Sequence, residues 1–236
     1  MSAWRMIAAM TMPQPASLPP FPETATTLLL DGPCGPLQVV AQQAPVHARA
    51  AATAVICHPH PLQGGTMQNK VVTMLERSLR ERGLATVRFN FRGVGESAGT
   101  YDDGNGEGDD LAAVVNWVRA SRPDDALWLA GFSFGSYVSI RNARRLAADA
   151  LISVAPPVGR WPFENIALPE CPWWVIQGEQ DEIVDPSAVH TWIDQLPSPP
   201  SLVPLPDTGH FFHGKLLDLR RELQAAPLPW PAIATS

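Results

Sequence analysis

"LAGFSFGSYVS", Leu129 to Ser139, puts a single serine between Gly131 and Gly135, with one phenylalanine on each side. The apolar run Ala126–Ala130 before it reads as a buried strand. The segment from Phe134 to about Ala147 reads as a helix. Glycine suits neither element, so its presence on both sides of one hydroxyl needs a reason. G-x-S-x-G between a strand and a helix is the signature of a nucleophile elbow. The serine stands on a sharp turn above the sheet, and the glycines remove side chains that would strike the neighbouring strand and helix. The backbone N–H of Phe134 then faces the place where an oxyanion would form. A close-packed strand-to-helix turn without chemistry is the competing reading, and the rest of the chain decides between them.

Outward from this point, apolar runs alternate with helical periodicity. Thr24–Leu30 and Pro36–Gln42 read as a hairpin of strands around "DGPCG". Ala52–His58, Leu84–Phe91, Ala126–Ala130, Ala150–Ala155, Trp173–Gln177 and Ser201–Leu205 follow as strands. Helices are expected over Met67–Arg82, Asp109–Ala120, Phe134–Ala147, Pro186–Leu196 and Phe211–Gln224. This order predicts βαβ units, a mostly parallel sheet of about eight strands, and helices on both faces. The functional crevice then lies at the carboxyl ends of the strands. Residues 1–22 read as a proline-rich leader, 23–226 as one domain and 227–236 as a tail.

The 236 residues fit one α/β domain, and 45% hydrophobic content supplies its core. The net charge of −6 leaves no basic footprint for nucleic acid or for an anionic membrane surface. Cys34, Cys57 and Cys171 are an odd number without metal-ligand spacing, which indicates free thiols and a cytoplasmic protein.

A serine hydroxyl reacts only when a base takes its proton, and a histidine oriented by a carboxylate is the usual base. With the order Ser, acid, His expected of such an elbow, the histidine follows Ser133. His190 falls within a helix, which leaves His210 in the loop after the last strand, with His213 one turn further on as its rival. The acid comes from "GEQDEIVDP" after Trp173–Gln177. There G-x-x-D leaves Asp181 at the bend, and Asp207 competes with it. "CHPHPLQGGT" offers His58 and His60 but no third ligand, so neither a metal nor a cofactor is expected. That loop is instead expected to complete an oxyanion hole through the N–H of His60 or Leu62, since Pro59 and Pro61 have none. "GVGESAG" lacks the helix that a dinucleotide fingerprint requires immediately after it. "DDGNGEGDD" is too rich in glycine for a helix interior and lacks the final glutamate of a calcium loop.

Taken together, "HPHPLQGGTMQNKVV", "FNFRGVGESAGTYDDGNGE", "AGFSFGSYV", "VIQGEQDEIV" and "TGHFFHGKL" resemble the α/β-hydrolase superfamily, and within it a bacterial family of small, largely lidless serine hydrolases. The resemblance spans Ala52 to Leu217. It implies Ser133 as nucleophile, Asp181 as acid, His210 as base and Phe134 as an oxyanion donor. Only the short segment Pro156–Cys171 stands where larger relatives carry a lid. The expected function is hydrolysis of a small carboxylic ester or thioester of short to medium acyl chain. Trp161, Phe163, Phe211 and Phe212 are candidates for the acyl pocket. A peptidase or aminoacyl hydrolase would use the same triad. A catalytically silent binding protein is the alternative of another class.

Overall fold

The computed structural model describes residues 18–230 and 232, so the expected leader is covered only from Leu18 onward. Eight strands form one sheet in the order β1-β2-β4-β3-β5-β6-β7-β8. They are β1 (Thr26–Gly32), β2 (Gly35–Gln42), β3 (Ala52–Cys57), β4 (Ala85–Phe89), β5 (Ala126–Phe132), β6 (Ala150–Val154), β7 (Trp173–Gly178) and β8 (Ser201–Leu205). Only β2 runs against its neighbours. From β4 to β8 every pairing is parallel. Among the described residues, no helix is long and apolar enough to cross a membrane.

Strand periodicity divides the core into two layers. Along β5, Leu127 and Leu129 face one side, while Trp128, Ala130 and Phe132 face the other. Because both faces are covered, the central strands are apolar throughout instead of alternating. Helices α2 (Asn105–Ser121), α3 (Phe134–Ala143) and α4 (Pro186–Asp194) cover the first face. Helices α1 (Lys70–Glu81) and α5 (Leu216–Ala225) cover the second and pack on each other. Residues 155–172, between β6 and β7, contain no helix, in keeping with the expected absence of a lid.

Packing continues past both expected ends of the 23–226 domain. Trp117 Nε1 donates to the Pro19 carbonyl at 2.8 Å, and Phe21 stacks on the Trp117 ring. At the other end Trp230 stacks on Trp128, beneath the Arg82 guanidinium.

Helix α1 begins three residues later than expected, at Lys70, and two helices depart further from what their sequence suggests. Helix α2 opens at Asn105, inside the glycine-dense stretch expected to exclude it, and not at Asp109. A Cβ on Gly106 would lie 1.8 Å from Arg92 Nη1. The glycine is therefore required for close approach, and it lets Arg92 reach Asp110. Arg92 Nη2 and Nε donate to the two Asp110 oxygens at 2.8 and 3.1 Å, and the Arg92 backbone N–H donates at 2.9 Å. Asp102 and Glu107 cap the helix start by accepting backbone N–H groups of Gly106, Gly104 and Asp102. Burial of this ion pair makes Asp110→Ala an expected destabilisation of about 3–5 kcal/mol, because Arg92 would remain buried without its counter-charge. Urea unfolding of the two proteins checks this, and a loss below about 1 kcal/mol would contradict it.

Helix α5 begins at Leu216, not at Phe211. Phe212 and Gly214 adopt positive φ, +53° and +71°. The intervening turn sends Phe212 into the core against Phe132 and leaves His213 exposed outside the helix.

Candidate active site

The loops after β5, β7 and β8 meet at the carboxyl edge of the sheet. Ser133 joins β5 to α3 in a left-handed conformation, φ 53° and ψ −122°. L-residues adopt it only when the surroundings enforce it. Its N–H is tied to the Val154 carbonyl at 2.9 Å. Both glycines of the motif are close contacts. A Cβ on Gly131 would lie 2.3 Å from the Gly135 carbonyl oxygen, and one on Gly135 would lie 2.3 Å from that of Cys57. The turn is thus compressed between its own helix and β3, and no side chain fits at either position.

The Ser133 hydroxyl lies 3.0 Å from His210 Nε2, and His210 Nδ1 lies 2.8 Å from Asp181 Oδ2. All three side chains are buried. Asp181 is held from several directions. Its Oδ1 accepts the N–H groups of Ile183 and Val184 at 2.9 and 2.7 Å, and Gln177 Nε2 reaches Oδ2 at 3.1 Å. Burial would raise the Asp181 pKa, but hydrogen bonds from His210 and from these backbone amides outweigh it and hold the carboxyl below its ordinary value. An ionised acceptor at Nδ1 fixes the proton there and leaves Nε2 free to accept from serine. The rival acid, Asp207, bonds Gln180 at the surface instead. His190, on α4, pairs with Glu179.

Two supporting roles escaped the sequence reading, one of them at Glu182, which it counted only among the acids available in its loop. Glu182 Oε2 accepts the His210 backbone N–H at 3.0 Å, so the acid loop also clamps the histidine loop. Gln177 is fully buried at the end of β7. Its one readable signal was a polar side chain closing an apolar strand.

Of the two alternative donors expected in the loop after β3, only His60 borders the Ser133 cavity. Its backbone N–H takes no part in the turn, which is built by N–H groups of Leu62, Gln63 and Gly65 donating to His60 Nδ1 and O. The expectation for Leu62 fails. Its N–H is spent on the His60 ring, and its side chain is 72% exposed. Phe134 is the first residue of α3, where a helix has no internal acceptor for its N–H. The His60 ring sits among Tyr101, Phe134 and Trp161. Burial there lowers its pKa against the opposing charge of Asp103.

His58 has a different task. Its Nε2 accepts the Phe91 N–H at 3.0 Å, and its Nδ1 donates to the Pro59 carbonyl at 2.6 Å. Both ring nitrogens are committed to backbone. Burial pushes its pKa down to about 4, partly offset by the Pro59 hydrogen bond. The unfolded chain therefore binds a proton that the fold refuses. Stability attributable to His58 is complete above about pH 6.5 and declines as pH falls towards 4, by about 3 kcal/mol in all. Urea midpoints measured across that range should fall for the native chain and fall less steeply for His58→Gln. Equal slopes would contradict this role.

Of the four aromatic candidates, Trp161 and Phe211 line the Ser133 cavity, which measures about 110 Å³. Phe163 and Phe212 do not. Phe163 packs on Tyr137 and Trp192 beside a groove of about 780 Å³ against α4 that holds none of the three catalytic candidates. Phe212 is in the core because its turn points the ring inward. Cys57 is fully buried beneath the elbow, and burial pushes its thiol pKa far up, which keeps it neutral.

Residues 51–221 match a family described as an alpha/beta hydrolase domain. An uncharacterized protein of Rickettsia prowazekii is 33% identical over 175 residues, covering 70% of this chain and 74% of that one. Among solved structures, an a/b serine hydrolase without lid from Xanthomonas campestris superposes with a TM-score of 0.88 at 55% identity, over 92% of this chain and 100% of the other. An alpha-beta serine hydrolase homologue from Coxiella burnetii does so with a TM-score of 0.84 at 46% identity, over 87% and 98%.

Proposed function

The chain belongs to the alpha/beta hydrolase domain family, and from that premise we propose that it cleaves small carboxylic esters or thioesters of short to medium acyl chain through an acyl-enzyme. The observation that carries this reading is the contact of the Ser133 hydroxyl with His210 Nε2 at 3.0 Å. In the proposed reaction Ser133 Oγ attacks the acyl carbon while His210 Nε2 takes its proton. Asp181 stabilises the resulting imidazolium. The N–H groups of Phe134 and His60 receive the oxyanion, an interaction worth about 3–4 kcal/mol of barrier for one donor. Collapse of the tetrahedral intermediate breaks the bond to the alcohol or thiol, which leaves with the proton from His210. Water, activated by the same histidine, then releases the acid and restores Ser133.

A cavity of about 110 Å³ favours a short acyl group at the reacting carbon. An odd number of cysteines without metal-ligand spacing is the basis for proposing a reducing cytoplasm as the site of action. The test is a series of p-nitrophenyl esters of rising chain length, run beside aminoacyl anilides. The expected result is turnover greatest for the short and medium esters. Faster cleavage of the anilides would make the protein a peptidase, and no turnover of any substrate would leave it a binding protein.

A further inference from the structure

The Ser133 cavity shares a wall with a larger chamber of about 660 Å³, and the shared residues are Arg160 and Trp161. Two exposed arginines border the chamber, Arg141 from α3 and Arg160 from the segment between β6 and β7. Neither is neutralised by a carboxylate among the described residues. Arg141 Nη2 donates to Asn105 Oδ1 at 2.8 Å, and Arg160 Nε donates to the Ile183 carbonyl at 2.7 Å. The neighbouring Arg144 and Arg145 instead form ion pairs, with Glu170 and Asp109. Asp103 also borders the chamber and forms no ion pair with either arginine, which leaves the lining with one net positive charge. Arg160 also lines the Ser133 cavity, so this excess of positive charge adjoins the serine in a chain of net charge −6.

We infer that this chamber is a subsite for an anionic oxygen group, a carboxylate or a phosphate, carried by the substrate. Guanidinium presents a planar fork of donors that matches such oxygens, and each arginine spends only one of its nitrogens on the neutral acceptor that positions it. The inference rests on the ester-hydrolase reading above.

The experiment compares mono-p-nitrophenyl adipate with its terminal-amide analogue, which has the same leaving group and chain length but no charge. A third substrate carries a terminal phosphonate. The expected kcat/KM is about tenfold higher for an anionic ester than for the amide. That ratio should fall towards one in Arg141→Gln and Arg160→Gln, mainly through KM, and should shrink with added salt. Preference for the phosphonate over the carboxylate assigns the site to phosphate, and the reverse assigns it to carboxylate. A ratio near one in the native protein, or one that both substitutions leave unmoved, overturns the inference while the ester reading stands. Absence of turnover for all three esters overturns both.

Discussion

Ser133→Ala should reduce ester turnover by about 10⁴-fold or more, with the loss in kcat and little change in KM or in thermal stability. The expectation follows from geometry. Ser133 Oγ has His210 Nε2 at 3.0 Å as its partner and sits at the entrance to a 10-residue helix whose first N–H groups are free of internal acceptors. In the proposed mechanism the variant lacks the attacking atom, while the N–H groups of Phe134 and His60 would still meet the carbonyl oxygen. What remains is the modest acceleration that an oxyanion hole gives to water. Steady-state kinetics on a short p-nitrophenyl ester, with circular dichroism as the folding control, measures the effect. A variant that kept a tenth of native activity would move the nucleophile elsewhere.

Asp181→Asn is expected to cost about 10⁴-fold in kcat while keeping the shape of the site. The substituted amide retains an oxygen for the N–H groups of Ile183 and Val184. Towards His210 it would then present an NH₂ where the carboxylate accepts at 2.8 Å. The imidazole must shift its proton to Nε2 to meet that donor, and a protonated Nε2 cannot accept from Ser133. The low pKa of Asp181 belongs to the same argument. Burial works against ionisation, but the hydrogen bonds from His210 and the two backbone amides prevail. The carboxylate is therefore ionised at neutral pH, and its contribution to stability, complete above the ordinary carboxylate pKa, is lost as pH falls from there through its depressed folded value. If the Asp181→Asn variant stayed within about tenfold of native kcat, the orienting role would pass to another group.

The sequence was legible wherever one physical rule acted alone. Two-sided burial makes β3, β5, β6 and β7 apolar runs, and these were found nearly to their ends. The grouping of Ser133, Asp181 and His210 was readable because each follows a strand of a parallel sheet, which brings them to one edge although 77 residues separate the serine from the histidine. Errors arose where a long-range contact overrode a local preference. Gly106 and Gly108 argue against a helix by propensity, yet the Arg92–Asp110 pair and the Asn142 side chain need the space they leave. Phe211 and Phe212 are chemically identical neighbours. The positive φ of Phe212 sends its ring into the core, while Phe211 stays 47% exposed at the cavity. Leu62 was a sound donor by elimination of prolines, but a hydrogen bond to the His60 ring consumes its N–H. Gln177 and Glu182 hold Asp181 and the His210 backbone through contacts that no spacing rule announces.

The most direct measurement is covalent trapping. Incubation with a fluorophosphonate, followed by intact mass and peptide mapping, should give one adduct per chain, on Ser133. The adduct should be absent in Ser133→Ala and much slower to form in Asp181→Asn. No adduct on the folded native protein, or an adduct on a residue other than Ser133, would contradict the assignment of this serine as a nucleophile activated by His210.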